Sequence, residues 1–351
     1  MKRIFYGLAG DGLGHASRTQ AILEHLPPDV EVHLFTFGQA HKFFKDMNYS
    51  HLHEIDGMMW HNKPGGISMW KTLWKGRKML ATSWANNVAI VKALADDLKP
   101  DLMISDFEPT VSRAAHRAKV PLLSIDNQHR FSHCYRKGIG LGLQFYCTLM
   151  GAATCWLVPN PEKVIISSFH KDMLKPCAPN VMLVDGIMRK DVIEQEVSDT
   201  NFVLVYARHG FSEPIFKSLL DCDSHQFRVY GAMEGTFQSM LAKRPNFEFF
   251  PLGPEFAKDL SRCSKVIAPS GHQLLTEVKY YGKQILTIPQ TGQWEQYVNA
   301  IYAEQIGLGK MCLLKDLNYD VVKEFLEKDS VSSGFAGNGV DKVVEVIQSY
   351  F

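Results

Sequence analysis

"GLAGDGLGHASR", residues 7–18, follows directly on the apolar run Ile4-Phe5-Tyr6. A short apolar run, a glycine-rich turn and the amphipathic stretch 16–26 read as a first strand handing over to a first helix. Glycines let the backbone approach an oxygen-rich group, and the helix that follows presents unpaired N–H groups and a positive dipole end. The spacing Gly10-x-Gly12-x-Gly14 lacks the two residues that the dinucleotide fingerprint places before its last glycine. The second strand, "VHLFTFG", also ends without a carboxylate for a ribose. A nicotinamide site is therefore disfavoured. His15 is left as either a helix-start residue packing locally or a general base, a role suited to an imidazole of pKa ~6.5.

The same alternation runs through all 351 residues. Apolar runs at 3–8, 31–37, 102–105, 122–125, 154–158 and 181–184 read as strands with helical patterns between them. A second series begins at 202–207 and continues at 227–230, 247–250, 265–268 and 284–288. Unbroken apolar strands alternating with helices point to parallel sheets covered on both faces. The polar stretch "EQEVSDTN" (194–201) separates the series. The expected architecture is α/β, with two Rossmann-like doubly wound domains at 1–193 and 194–337 facing across a cleft. A C-terminal helix, 338–351, is expected to pack back on the first domain.

Composition narrows the class. Apolar residues at 46% and charged residues at 21% suit a globular protein. Residues 1–175 carry 21 Lys+Arg against 15 Asp+Glu, and residues 176–351 carry 17 against 22, so an acidic partner would meet the first half. Seven cysteines without a Cys-x-x-Cys pair fit scattered reduced thiols in a cytoplasmic protein better than a disulfide framework or a zinc site. Residues 139–158 form a charge-free run of membrane-span length. Their glycines, polar residues and Pro159-Asn160-Pro161 stop favour a buried helix ending near Gly151, then a strand at 154–158.

The second informative stretch is "PSGHQLLTEVKYYGKQILTIPQTGQWEQYVNA", residues 269–300. Ser270, Gly271 and His272 open a helix where a strand ends, a second anion-binding helix start. Glu277 lies on that helix, placed to accept from adjacent hydroxyls, and Gln293, Glu295, Gln296 and Asn299 crowd the next helix start. Amides and carboxylates are what sugar hydroxyls require. Asp106 and Glu108 end a first-half strand on the ligand-binding side of an open sheet. They either pair with Arg113 or Arg130, bind acceptor hydroxyls, or supply a base in competition with His15. Asn127, Gln128 and His129 end the neighbouring strand and read as polar binding residues.

Together, the Gly-x-Gly-His loop and the late Ser-Gly…Glu…Gly…Pro…Gln…Gln…Asn-Ala pattern resemble the GT-B glycosyltransferases. The resemblance is to the family 28-like branch containing the peptidoglycan N-acetylglucosaminyltransferase and the UDP-glucuronosyltransferases. The segments "SDFEP" (105–109) and "IDNQH" (125–129) resemble those of a group of microbial glycosyltransferase-like proteins. This resemblance implies a nucleotide-sugar donor held by Ser270, Gly271 and His272 at the diphosphate, Glu277 at the ribose, and Glu295 and Gln296 at the sugar. Arg189 would reach the phosphates, with Arg208 as a further contact. It implies that His15 falls on the acceptor side as candidate base. The strand-end reading adds Asp106 as the competing base and Glu108, Asn127, Gln128 and His129 as acceptor contacts, beside Gly12 and Gly14 of the first loop. The resemblance further implies inversion, no metal and no cofactor beyond the donor substrate. Asp221-Cys222-Asp223 imitates a metal-binding Asp-x-Asp but follows a helical run in the second half and reads as structural.

Residues 58–87 hold five Lys/Arg, no acid and four of the six tryptophans. Tryptophan beside lysine marks either peripheral membrane contact or a core helix with a basic outer face. The former would place the protein at the inner face of the membrane with a lipid-linked acceptor. The basic stretch is single and has no recognition motif, so nucleic acid is not an expected partner. The expectation is a glycosyltransferase moving a sugar, from UDP as the first choice of carrier, to a hydroxyl acceptor. The alternatives are a non-hydrolysing UDP-sugar 2-epimerase, which needs no acceptor, and a sugar-nucleotide-binding protein without transfer activity.

Overall fold

The first strand, β1 (Lys2–Leu8), shows why both faces of its sheet are covered. Ile4, Tyr6 and Leu8 join one core with Ala16, Ile22, Leu34, Ile104 and Ile125. Phe5, pointing the other way, joins a second with Phe35, Val88, Val91, Met103 and Val111. Successive side chains of a strand face opposite sides, so an unbroken apolar run requires helices above and below. In this computed structural model residues 2–57, 62–63, 66–67, 83–176, 180–208, 211–231, 234–328 and 337–351 are described.

The chain divides into two compact units. One comprises Met1–His61, Met69–Arg189 and Asn338–Phe351; the other comprises Asn62–Ser68 and Lys190–Gly337. In the first, β1 leads through α1 (Leu13–His25), β2 (Val30–Thr36), α2 (Gly38–Asp46) and β3 (Leu52–Glu54). After α3 (Trp84–Leu98) come β6 (Leu102–Asp106), α4 (Pro109–Ala118), β7 (Leu122–Asp126) and α5 (Arg130–His133). Then follow α6 (Leu141–Leu157), β8 (Lys163–Ser168) and β9 (Val181–Asp185). The seven strands lie in the order β3-β2-β1-β6-β7-β8-β9, all in parallel pairs. Strand order reverses between β1 and β6, with Leu8 beside Asp106. The terminal helix α14 (Val340–Gln348) completes one face, burying Val340, Val343 and Ile347 in the core that holds Ile4 and Ile22.

Two expectations for this unit are corrected. The stretch 154–158 is not a strand: α6 continues through it to Leu157, and β8 follows the prolines instead. Nor is α6 buried along its length, since Leu141, Phe145, Leu149 and Trp156 are exposed. A charge-free apolar run does not by itself distinguish helix from strand, and here length prevails over the β-branched Thr154 and Val158.

A short ladder, β4 (Asn62–Lys63) with β5 (Gly66–Ile67), belongs to the second unit. Its main body begins with α7 (Lys190–Ile193) and β10 (Phe202–Ala207), then α8 (Ser212–Ser218), β11 (Gln226–Gly231), α9 (Thr236–Leu241), β12 (Phe247–Phe250) and α10 (Glu255–Arg262). It continues with β13 (Lys265–Ala268), α11 (His272–Tyr280), β14 (Gln284–Thr287), α12 (Trp294–Gln305), β15 (Gly309–Met311) and α13 (Tyr319–Glu327). The order β12-β11-β10-β13-β14-β15 reverses between β10 and β13. The polar stretch after α7 is fastened to this unit: the Ser198 and Thr200 amides donate to Ser261 and Arg262 carbonyls. Lys283 Nζ adds bonds to Ser198 O and Asp199 Oδ1.

Candidate active site

In each sheet candidate residues lie beyond the carboxyl ends of strands, the side on which open α/β sheets bind ligands. His15 and Asp106 in one, and Arg208 and Ser270 in the other, stand beside the order reversal. In the first unit the loop after β1 is shaped by two glycines. A Cβ at Gly10 would stand 2.0 Å from Phe37 O, so only glycine lets the loop lie against the end of β2. Gly12, at φ +84°, occupies the left-handed region and caps α1 with no side-chain partner for the helix amides. Gly14 falls in the first turn of α1, followed by His15 and then, one turn on, Arg18.

Asp106 ends β6 beside this loop, and the Ala9 amide donates to its carbonyl. His15 Nδ1 lies 2.8 Å from Asp106 Oδ1. Arg18 grips the same carboxylate twice, Nε to Oδ2 at 2.9 Å and Nη2 to Oδ1 at 2.6 Å. Asp106 is fully buried and Arg18 nearly so, whereas His15 keeps 15% of its side chain exposed. With Nδ1–H donated to Asp106, the imidazole lone pair resides on Nε2, which has no hydrogen-bond partner among the described residues. Asp106 thus stands behind His15 as a fully buried hydrogen-bond partner.

Phe107 separates Asp106 from Glu108 at φ +55°, a region costly for a bulky residue. The turn aims the two carboxylates differently. Glu108 folds onto α4 and accepts from Thr110 N at 2.7 Å and Val111 N at 2.8 Å. This corrects its expected place among acceptor contacts, because both oxygens are committed to an N-cap. Burial pushes the Glu108 carboxyl above the usual range. Its expected pairing with Arg113 does not occur either, since Arg113 donates to Trp156 O at 2.5 Å.

Asn127, Gln128 and His129 are all buried. The Asn127 amide donates to Gln128 Oε1 at 3.3 Å, and His129 Nδ1 is bound to Asp126 Oδ2 at 2.7 Å. His129 is thereby anchored inside the first unit through Nδ1, while its Nε2 has no hydrogen-bond partner among the described residues.

In the second unit β13 runs into Ser270-Gly271 and α11. The N-cap, Gly271, supplies no side chain to the helix amides, and among the described residues nothing beyond its own chain neighbours and helix backbone lies within 4 Å of where its Cβ would stand. Ser270 is fully buried and its Oγ finds no partner among the described residues. His272 and Glu277 are buried on the same helix, with Gln273 Nε2 donating to Glu277 Oε1 at 3.1 Å. Asn299 Nδ2 donates to Ser270 O at 3.2 Å and fixes the strand exit. Open helix amides beside a buried hydroxyl form an anion-receiving cradle.

Gln296 is corrected. Its Oε1 accepts from Gln290 N at 2.9 Å, and its Nε2 donates to Gln293 Oε1, so the side chain fastens the loop before α12 and is not free for a sugar. Glu295 is half-buried in the first turn of α12. Arg208 stands half-buried just after β10, and Arg189 half-buried at the end of the first unit. Asp223 of the Asp-x-Asp imitation pairs with Arg244 while Cys222 is buried.

Residue types and loop position single out His15, Asp106 and Ser270. The anchoring contacts of Arg18 and Asp126 have a weaker signal in the sequence: Arg18 sits three residues from His15, the spacing that aligns side chains on one helix face.

Two parallel doubly wound units, each with polar chemistry at its order reversal, define the GT-B glycosyltransferase class. The chain belongs to glycosyl transferase family 1, matched over residues 2–329, and is a glycosyltransferase. A Methanosarcina mazei protein described as an uncharacterized glycosyltransferase is 24% identical over 336 residues, covering 88% of this chain and 85% of its own length. The crystal structure of Acinetobacter baumannii MurG is similar in fold, with TM-score 0.63 and 17% identity, covering 99% of this chain and 100% of that one. The structure of LpCGTa in complex with UDP aligns with TM-score 0.66 at 12% identity, over 100% of this chain and 99% of that one.

Proposed function

We propose that the protein transfers a sugar from a UDP-sugar to a hydroxyl acceptor, with inversion and without a metal in the transfer step. The observation that carries this reading is the His15–Asp106 pair, with Nε2 left without a hydrogen-bond partner among the described residues. His15 Nε2 takes the hydroxyl proton as the acceptor oxygen bonds to the anomeric carbon and the bond from that carbon to the diphosphate breaks. Asp106 stabilises the imidazolium that forms, and its remaining lone pairs are met by Arg18. The electron pair leaves with UDP, whose charge meets the open amides of α11, Ser270 and His272. Glu277 holds the ribose and Glu295 the sugar, while Gly12 and Gly14 let the acceptor approach His15. UDP is the first choice of carrier because LpCGTa, of the same fold, is described with UDP.

A lipid-linked acceptor at a membrane surface is supported by α6, whose exposed Leu141, Phe145 and Leu149 recur every four residues on one face. Arg136 and Lys137 precede them. Most of the tryptophan-rich stretch 58–87 lies outside the described residues. Its Trp84 packs edge-on against Trp156 at 5.4 Å, under Arg113. No described helix is long and apolar enough to cross a membrane.

The test is a screen of nucleotide sugars with thermal-shift readout. UDP raises Tm of the wild type and of His15→Ala but not of Glu277→Ala, and His15→Ala loses transfer. An unchanged wild-type Tm with UDP, GDP and TDP overturns the donor site. Turnover of UDP-sugar without an acceptor favours epimerase chemistry.

A further inference from the structure

Away from the base and the donor cradle, α5 and α6 bring three metal-ligating side chains together. His129 and His133 are four residues apart on one helical turn, their rings nearly parallel at 16° with centroids 5.7 Å apart. Cys155 enters from α6, and one ligand atom from each of the three lies within 4.8 Å of the other two. Cys155 is solvent-accessible, while the other free cysteines among the described residues are buried.

His129 is also supported in the way metal-bound histidines are. Its Nδ1 donates to Asp126 Oδ2 at 2.7 Å and its amide to Asp126 Oδ1 at 2.9 Å. Ser124 Oγ donates to the same carboxylate at 2.8 Å, and Asp126 is fully buried. A buried carboxylate on Nδ1–H fixes the tautomer and makes Nε2 a better donor to a cation. Neither His129 Nε2 nor either ring nitrogen of His133 has a hydrogen-bond partner among the described residues. Two imidazoles and a thiol are a borderline-soft set that favours zinc over magnesium or calcium, and paired histidines at this spacing on a helix bind zinc elsewhere.

We propose that His129, His133 and Cys155 form a zinc site, with Asp126 orienting His129 and a fourth position open to water. Metal–ligand distances of about 2.0–2.3 Å require the three side chains to close in by roughly 1 Å, within the reach of χ rotations. Binding replaces the Cys155 S–H bond with an S–Zn bond and releases the proton to solvent. The ion clamps α5 to α6 and so steadies the helix that carries the exposed apolar row. It takes no part in sugar transfer, and the proposal stands independently of the donor and base assignments.

The experiment titrates metal-stripped full-length protein with cobalt(II) and follows visible and near-ultraviolet absorption. Tetrahedral d–d bands and a thiolate-to-cobalt charge-transfer band are expected, both lost on adding zinc. Cys155→Ser, a surface change, removes the charge-transfer band and weakens binding at least tenfold, and His133→Gln weakens it similarly. Asp126→Asn lowers affinity about 10- to 100-fold. Zinc at about a hundred times Kd raises Tm of the wild type but not of Cys155→Ser. Wild-type protein without a charge-transfer band, or a band that persists in Cys155→Ser, overturns the site. UDP-induced stabilisation of Cys155→Ser stays at the wild-type level, which separates this outcome from failure of the donor reading.

Discussion

His15 and Asp106, 91 residues apart in the chain, meet at 2.8 Å because β1 and β6 are adjacent at the point where strand order reverses. One residue contributes a partly exposed imidazole and the other a fully buried carboxylate, and Arg18 locks the second in place. Asp106→Asn keeps the shape but offers an amide that can hold the wrong imidazole tautomer. Transfer should fall about 10²- to 10⁴-fold, as it should in His15→Ala, while UDP-induced stabilisation is retained. Steady-state transfer assays beside thermal shifts check this. Both Asp106→Asn and Asp106→Ala leave the buried Arg18 guanidinium without its counter-charge, and a broken buried pair costs about 3–5 kcal/mol in urea unfolding, so transfer is compared per folded molecule. Near-wild-type turnover in Asp106→Asn would remove Asp106 from the mechanism.

Glu108 separates two roles that a carboxylate at a strand end can serve. Both of its oxygens hold amides of α4, so Glu108→Ala should lower unfolding stability by about 1–2 kcal/mol through the lost cap. Turnover per folded molecule and the acceptor KM should stay within twofold of the wild type, an estimate of about 0.4 kcal/mol at most. A large rise in acceptor KM with unchanged stability would restore Glu108 to the acceptor side.

Much of this architecture is legible from local pattern, and its gaps have physical causes. Strands such as β1 and β10 declare themselves as apolar runs between glycine-rich or polar turns. β8 is harder to see: only Val164, Ile165 and Ile166 stand between Lys163 and a serine pair. The apolar run before it then attracts the strand reading that belongs to β8. Loop chemistry marks His15 and Ser270 because their neighbours are glycines at strand ends. Partnerships are invisible at that level. Whether Asp106 faces a proton or backs an imidazole depends on the β1–β6 pairing, and whether Gln296 faces a sugar depends on a loop folding back onto its own helix.

The glycines of the first loop serve separable purposes. Gly10→Ala puts a methyl 2.0 Å from the Phe37 carbonyl oxygen, a backbone atom that moves only with β2. Severe destabilisation or failure to fold should result. Gly12→Ala meets no atom within 4 Å and pays only for a backbone conformation that glycine alone adopts readily, φ 84° with ψ 165°, about 1–3 kcal/mol. Chemical denaturation of both variants tests the ranking; equal effects would mean that backbone conformation, not contact, limits the loop.

A last prediction concerns acid. On the outer strands of the first sheet, His33 Nδ1 and His53 Nε2 lie 3.0 Å apart, and the His33 and His51 rings are 4.6 Å apart. Burial pulls the His33 pKa below its ordinary value, reinforced by His51 and opposed by Glu31. Burial does the same to His53, with His33 and His51 adding to it. The unfolded chain therefore takes up these protons first. Stability from this cluster is complete above an unfolded pKa of ~6.5 and declines as pH falls below it. Glu31, held at about 2 by its hydrogen bonds to Arg3 and then His33, acts lower. Its contribution is present above the unfolded carboxyl value of ~4.3 and is lost as pH falls toward 2. Urea midpoints should accordingly drop between pH 7 and pH 5, about one pH unit either side of that histidine value. His53→Phe, which preserves the ring stacked 4.7 Å from Phe35, should flatten the slope in that interval. An unaltered slope in His53→Phe would assign the acid sensitivity to histidines elsewhere in the chain.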